Sequence, residues 1–282
     1  MKNDKAVLQG LNGVRWLIIL IYLAITLLCA VWKTPFANQV APVITVVAIF
    51  SAVWLHGTAR YGTRNILIFF LITWLVSNFF EALSIRTGFP FGHYYYDKLI
   101  GPRLFDVPLI IMFAYFGTGY VSWILAHVLS GQYSKPLSGR NLFFVPFIAA
   151  FIMVMWDLCI DPLCSTLGAL WVWRDKGEYF GVPLQNYFGW FLVVYIIYQL
   201  FALYCSKFDV ISEGKRKLFS TRLFWLEAVA VYGIQGLTQI VQFAGAKEHL
   251  DVYGSMALVA VFTMLFVTLI SFLRIQDDDR LV

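Results

Sequence analysis

The stretch NFFEALSIRTGFPFGHYYYDKLIGPRLFDVPL, residues 78–109, connects one long apolar run to the next and is itself rich in acids, bases and tyrosines. Its first acid, Glu81, follows sixteen residues, 65–80, that contain no acid and no base. A carboxylate near the end of such a run is costly in a membrane unless it is paired or protonated. We therefore predict that Glu81 belongs to a buried functional site. The alternative is a carboxylate that extends to the membrane interface beside Arg86.

The composition of the whole chain is that of a membrane protein. The 282 residues are 60% hydrophobic, 18% aromatic and only 13% charged, whereas soluble domains carry about 25% charged residues. The formal net charge of +5 comes from basic residues in the gaps between apolar runs. This placement is typical of membrane topology and does not indicate a nucleic-acid partner.

Eight apolar runs approach the roughly 17–25 residues that a transmembrane helix needs. They lie at about Val14–Trp32, Val40–His56, Asn65–Ile85, Val107–Leu129, Asn141–Ile160, Asn186–Cys205, Thr221–Phe243 and Val252–Leu273. The first run has the basic start of a signal peptide but no small-residue cleavage site, so we predict that it is a transmembrane helix. The fold class predicted is an all-α polytopic membrane protein, with residues 1–282 as a single integral-membrane domain.

The distribution of Lys and Arg predicts the orientation in the cell membrane. With the N-terminus inside, 14 of the 21 basic residues fall in inner segments and 7 in outer segments. The positive-inside rule then places both termini in the cytoplasm. Polar residues of four or five helices would converge toward the outer leaflet; they are Glu81, Asp106, Asp157, Asp161, Gln235, Gln239 and Gln242.

The third to sixth runs contain a weak internal repeat. Glu81 stands 26 residues before the Val-Pro-Leu word that begins at Val107, and Asp157 stands 25 residues before the one that begins at Val182. Each interval holds a glycine, an aromatic cluster and an Asp-Lys pair. Both units would run from inside to outside and back, which predicts a parallel repeat about an axis along the membrane normal, as in some transporters. Chance is the alternative, since the shared words are short.

A second dense stretch, WDLCIDPLCSTLGALWVWRDKGEYFGVPLQNYFGW at residues 156–190, adds two carboxylates. Asp157 and Asp161 are four residues apart and share one helix face, and the proline after Asp161 ends the regular helix there. Two carboxylates this close in a low dielectric are not expected to ionise together, and the one that keeps its proton is a general acid. The alternative is a structural network with Arg174 or Lys176.

The remaining residue types narrow the chemistry further. No GxGxxG word marks a nucleotide-binding fold, and the four histidines are isolated, unlike the clustered ligands of a di-iron site. We therefore expect no cofactor and no metal. The acids are surrounded in sequence by aromatic residues, which stabilise cations by about 0.5–2 kcal/mol each when desolvated. This combination suits protonation of an alkene and capture of the carbocation, although any single Trp or Tyr could instead belong to the aromatic belt of the membrane interface.

Four sequence words resemble the membrane carotenoid hydratases, the "carotenoid biosynthesis protein" family of the bisanhydrobacterioruberin hydratase and γ-carotene 1′-hydratase type. The words are GFPFG at 88–92 with Tyr94 and Tyr96, DVPL at 106–109, DLCIDP at 157–162, and WVW at 171–173 followed by GVPLQN at 181–186 and GW at 189–190. The resemblance covers about residues 60–270. One departure is Tyr115, where the family pattern has Trp; we expect it to affect substrate fit and not the chemistry.

The resemblance implies a cofactor-independent addition of water to the terminal C1=C2 bond of an acyclic (ψ) carotenoid end group, giving a tertiary alcohol. We assign Asp157 as the proton donor, because it lies one turn deeper in the fifth helix than Asp161 and deeper burial favours the protonated form. Asp161 and Glu81 are assigned as groups that hold or deprotonate the water. Asp106 is a reserve, because an acid at the start of a helix, here the fourth, is often only a dipole partner or a cap. The predicted substrate-binding residues are Tyr94, Tyr96, Trp156, Trp171, Trp173, Asn186 and Gln239. The implied partners are a lipid-soluble carotenoid, membrane lipid and other carotenoid-pathway enzymes.

Three other functions stay open at this point. A membrane prenyltransferase or terpene cyclase would use Asp157 and Asp161 as half of a diphosphate–Mg²⁺ motif, but a second acidic motif is missing from the sequence. A carotenoid cyclase would capture the same cation with an internal alkene and leave the mass of the substrate unchanged. A non-enzymatic carotenoid transporter or binding scaffold would agree with the internal repeat.

Overall fold

The computed structural model describes residues 2–31, 35–133, 136–175, 177–209 and 218–282. The described residues form eight long helices. Six of them agree with the predicted spans to within a few residues, and the first two begin earlier than predicted. The helices are α1 (Lys2–Val31), α2 (Pro35–Tyr61), α3 (Thr63–Thr87), α4 (Leu109–Leu129), α5 (Asn141–Asp161), α6 (Leu184–Phe208), α7 (Arg222–Gly245) and α8 (Leu250–Gln276, with a π-helical segment Val261–Leu265). The predicted all-α polytopic membrane fold is confirmed.

Seven of the eight helices in the described part of the chain are long and apolar enough to cross a membrane, and α7 is the exception. Its polar residues include Glu227, Gln235 and Gln239, which are all buried. Because α7 packs against α1, α4 and α8, these side chains face protein and not lipid. The span predicted at Thr221–Phe243 is therefore a helix with a polar, enclosed side.

The centre of the fold is α4. Every residue from Tyr115 to Val128 is buried, and the helix packs against α2, α3, α5, α7 and α8. A helix that is apolar on all sides is typical of such a central position. The first turns of α4, before Tyr115, are less enclosed and directly follow the link from α3.

The link between α3 and α4 and the link between α5 and α6 pair through short strands. Strand β1 (Tyr94–Tyr96) pairs antiparallel with β4 (Trp171–Trp173), with Tyr94 opposite Trp173 and Tyr96 opposite Trp171. Successive strand residues point to opposite faces. These four aromatic side chains therefore share one face of the pair, whereas Tyr95 points away and is 46% exposed.

The rest of the α3–α4 link is a 3-10 turn (Lys98–Ile100) and a small hairpin of β2 (Arg103–Leu104) and β3 (Val107–Pro108). The two turn residues of the hairpin, Phe105 and Asp106, both have positive φ, at 52° and 70°. Successive positive φ values are those of the tight turns that join antiparallel strands. Both turn residues are exposed.

The two helical hairpins, α3–α4 and α5–α6, share features at corresponding positions. Proline precedes α4 and α6 directly, in extended conformation, at Pro108 and Pro183. Strand β1 starts 13 residues after Glu81, and β4 starts 14 residues after Asp157. The antiparallel pairing of β1 with β4 is the relation that a local two-fold axis would give. These observations agree with the predicted repeat, in which Glu81 and Asp157 occupy equivalent positions.

Regular α-helical geometry in α5 ends at Asp161, as the following proline predicted. The chain continues as a π-helical segment, Pro162–Leu167. Proline has no N–H to donate into the preceding turn, and π-helical turns often occur at functional sites. The Asp161 side chain therefore lies where the helix widens.

The orientation in the membrane stays a prediction, which cysteine labelling tests. In a variant without Cys29, Cys159, Cys164 and Cys205, we expect Tyr95→Cys to react with a membrane-impermeant maleimide in intact cells. The control is Ser138→Cys, in the exposed link between α4 and α5 at the opposite end of the helices; it should react only after the cells are opened. The reverse pattern would contradict the positive-inside assignment.

Candidate active site

A cavity of about 50 Å³ lies between the C-terminal ends of α3 and α5, the N-terminal ends of α4 and α6, and the aromatic face of the β1–β4 pair. Three of the four predicted catalytic residues line it, and so do six of the seven predicted substrate-binding residues. The catalytic residues are Glu81, Asp157 and Asp161, and the substrate-binding residues are Tyr94, Tyr96, Trp156, Trp171, Trp173 and Asn186. The two dense stretches of the sequence therefore meet at a single site.

Three phenol hydroxyls hold the carboxylate of Glu81. Tyr94 and Tyr96 both donate to Oε2, the latter at 2.9 Å, and Tyr115 donates to Oε1 at 2.7 Å. Glu81 is 3% exposed, and hydrogen bonds to a charged group offset the cost of burying it. Its partners in the described part of the chain are these tyrosines and not Arg86, so the alternative of a carboxylate at the membrane interface is wrong.

The side-chain amide of Asn186 joins the two aspartates. Its Nδ2 donates to Oδ2 of Asp157 at 3.1 Å and to Oδ2 of Asp161 at 2.6 Å. Trp171 donates its Nε1–H to Oδ1 of Asp161 at 2.6 Å. The carboxyl group of Asp161 thus accepts two hydrogen bonds from other side chains, and that of Asp157 accepts one. Arg174 lies instead over the ring of Tyr95, 6.0 Å from its centroid, and Lys176, the other proposed partner, lies outside the described residues.

The depth of the two aspartates does not distinguish them. Asp157 was predicted to hold the proton because it precedes Asp161 by one helical turn and was expected to lie deeper. Their exposures are 2% and 1%, so both are buried equally well. The difference between them is the number of donors that each carboxyl group accepts, and a donor favours the ionised form of the group that it contacts.

Aromatic rings form the walls of the cavity. Tyr115 and Trp190 stack with centroids 4.3 Å apart and planes at 5°, and Trp156 meets Trp190 edge-on at 6.2 Å. Gly189 is needed for this arrangement, because a Cβ there would lie 2.7 Å from the carbonyl oxygen of Pro90. The absence of a side chain lets the 88–92 loop lie directly against α6.

The charge of the cavity is one-sided. Its lining includes three carboxyl groups and no Lys, Arg or His among the residues that the structure describes. In that same part of the chain, no three His, Cys, Asp or Glu side chains are arranged to hold a metal ion. The side chains present can therefore donate or accept protons and stabilise positive charge. That no cofactor takes part stays a prediction.

Two predicted site residues are placed elsewhere. Asp106 is exposed in the turn of the β2–β3 hairpin and is not part of the cavity lining. We had expected it at the start of α4, but that helix begins three residues later. Gln239 is buried on α7, 1% exposed, and is not part of the cavity lining.

Sequence reasoning missed six lining residues: Phe91, Ile111, Ala114, Tyr115, Ile160 and Trp190. Trp190 and Phe91 belong to quoted sequence words, so position within those words was an available signal. Tyr115 was expected to affect only substrate fit. Its hydroxyl contacts Glu81, so this departure from the family pattern does bear on a candidate catalytic group.

Comparisons with known proteins agree with this site. The bisanhydrobacterioruberin hydratase of Haloarcula japonica is 32% identical over 113 residues, a match that covers 40% of this chain and only 36% of that relative's length. No solved structure matches the chain. The family model described as "Carotenoid biosynthesis protein" matches residues 40–261, a range that contains every residue of the cavity lining. The chain therefore belongs to the carotenoid biosynthesis protein family.

Proposed function

We propose that the protein is a carotenoid hydratase that adds water to the terminal C1=C2 bond of an acyclic end group. The observation that carries the proposal is the cavity with three buried carboxyl groups, aromatic walls and no basic lining residue among those described. Membership in the carotenoid biosynthesis family supports a carotenoid-modifying function, and one relative is named a hydratase. The substrate and the reaction are our inference from the site.

The first step is transfer of a proton from Asp157 to C2 of the double bond. Asp157 is the best donor because it accepts one hydrogen bond from another side chain, whereas Asp161 accepts two and Glu81 accepts three. Hydrogen bonds donated to a carboxylate favour its ionised form. The proton is therefore held best by Asp157, and the other two groups provide negative charge.

Protonation of C2 leaves a tertiary carbocation at C1. Trp156 and Trp190 line the cavity and can stabilise it, because aromatic rings attract a desolvated cation. The carboxylates of Glu81 and Asp161 stabilise it further, since charges act strongly across a site from which bulk water is excluded. A basic side chain in the lining would oppose this step.

In the second step a water oxygen bonds to C1, and Asp161 or Glu81 takes a proton from that water. The net change is the addition of one water molecule. Both Oδ2 atoms of the aspartate pair lie within hydrogen-bond distance of the same Asn186 nitrogen. This keeps the two carboxyl groups adjacent, so that the proton can return to Asp157 and restore the starting state.

Expression in a lycopene-producing bacterium tests the proposed function directly. We expect the extracted pigments to contain products heavier than lycopene by the mass of one or two water molecules, seen by chromatography with mass spectrometry. A product of unchanged mass but changed retention would indicate a cyclase. Release of diphosphate with dependence on Mg²⁺ would indicate a prenyltransferase, and purified protein that retains unchanged carotenoid would indicate a scaffold or transporter.

A further inference from the structure

Helix α7 carries three glutamines, Gln235, Gln239 and Gln242, which we call the glutamine row. They stand at positions i, i+4 and i+7 and so share one helix face. On the same face, Tyr232 donates to the carbonyl oxygen of Ile152 on α5 at 2.7 Å. The Nε2 of Gln235 donates to Oγ1 of Thr118 on α4 at 3.0 Å. The row therefore faces the junction of α4 and α5.

The row lies at the depth of the cavity. Tyr120 on α4 and Glu227 on α7 line one small cavity. Further along α7, Gln235 bonds to Thr118, which precedes Tyr120 on α4, so the two helices run in opposite directions. One turn beyond this bond along α7 is Gln239. One turn in the same direction along α4 leads from Thr118 to Ala114, which lines the candidate active site. Gln239 on α7 is thus at the level of Ala114 on α4.

Four amide atoms of the row lack partners in the described part of the chain. The unpartnered atoms are both Nε2 and Oε1 of Gln239, and Oε1 of Gln235 and of Gln242. Gln235 and Gln239 are only 5% and 1% exposed. A buried polar group without a partner costs about 1–3 kcal/mol, and a glutamine amide can both donate and accept. The row is therefore suited to a small ligand that also donates and accepts.

We propose that the glutamine row binds water and leads it from the outer end of α7 to the candidate active site. Gln242 is half-buried, and the chain beyond it, toward Gly245, is more exposed, which provides the entrance. The inference rests on the proposed function, because hydration consumes one water molecule per double bond. The carboxyl groups of the cavity can hold one water at the reacting carbon, and the row provides a polar route by which the next water arrives.

The reaction in D₂O separates the supply of water from the transfer of the proton. Asp157 exchanges its proton with solvent and delivers a deuteron to C2 of the alkene. The cation either captures water and becomes the alcohol, or loses a proton and returns as an alkene, part of which keeps the deuterium. The ratio of deuterated alkene to alcohol, measured by mass spectrometry, reports how well water reaches the cation.

Gln239→Met keeps the approximate volume of the side chain and removes its hydrogen-bonding groups. We expect the ratio of deuterated alkene to alcohol to rise about tenfold, which corresponds to roughly 1.4 kcal/mol on the water-capture step. Gln242→Met, at the half-buried entrance, should change the ratio in the same direction by less. The amount of carotenoid that co-purifies with each variant checks that it is folded.

The matched control is Thr238→Val on the same turn of α7, where the hydroxyl donates to the carbonyl oxygen of Ile234 in its own helix. This variant should leave the ratio unchanged. If Gln239→Met lowers alcohol and deuterium uptake in equal proportion, or changes neither, the row does not carry water and the inference is wrong. If the unaltered protein forms neither alcohol nor deuterated alkene, the proposed function fails, and the water path fails with it.

Discussion

Asp157→Asn is expected to lower the rate of carotenoid hydration by at least about 100-fold, the low end of what general acid–base catalysis contributes. The amide has nearly the shape of the acid and can still bond to Asn186, but it has no acidic proton to give to C2. Formation of the alcohol and uptake of deuterium from D₂O should both fall, because both require protonation of the alkene. The protein should remain folded and retain carotenoid on purification.

The control for Asp157→Asn is Asp251→Asn, which makes the same chemical change at an exposed carboxylate in the first turn of α8. It should leave the rate unchanged. If Asp157→Asn remained fully active while Asp161→Asn lost deuterium uptake, the proton donor would be Asp161. If the amide variants of Asp157, Asp161 and Glu81 all remained active, the carboxylates would be structural, and the acid-catalysed mechanism would be wrong.

The spans and the members of the site could be predicted from the sequence because membrane folds obey simple constraints. Apolar runs of sufficient length must become helices, since a backbone in lipid has to satisfy its own hydrogen bonds. Charged residues such as Glu81 and Asp157 are tolerated there only at protected sites. Both residues lie near the C-terminal ends of their helices, α3 and α5. The sequence alone could therefore place them at the same depth in the membrane.

The contacts inside the site could not be predicted, because they join residues far apart in the chain. Asn186 bridges two aspartates that precede it by 25 and 29 residues, and Tyr115 reaches Glu81 from a helix whose uniformly apolar pattern marks no special face. The predicted position of Asp106 was wrong for a local reason. The hairpin residues 103–108 contain no Gly or Asn to indicate a turn with positive φ, yet Phe105 and Asp106 form such a turn.

Glu81→Gln is expected to lower the rate of hydration by at least about 100-fold as well, but for a different reason. Three tyrosine hydroxyls donate to this carboxylate, an arrangement suited to an anion. A neutral amide would offer the cation at C1 no negative charge and would have to turn one N–H toward a phenol oxygen. If Glu81 stabilises the cation, deuterium uptake should fall together with alcohol formation. If it only positions the water, deuterium uptake should persist.

The tyrosines around Glu81 make this prediction more specific. Loss of one hydrogen bond to a charged group costs about 1.5–3 kcal/mol, so Tyr96→Phe and Tyr115→Phe should each slow hydration by roughly ten- to a hundredfold if the position of the carboxylate matters. The matched control is Tyr95→Phe in the same strand, because its side chain points to the opposite face and is 46% exposed. It should be unaffected. Equal losses at Tyr95 and Tyr96 would mean that the strand pair acts only through its packing, and that the charge of Glu81 is not part of the reaction.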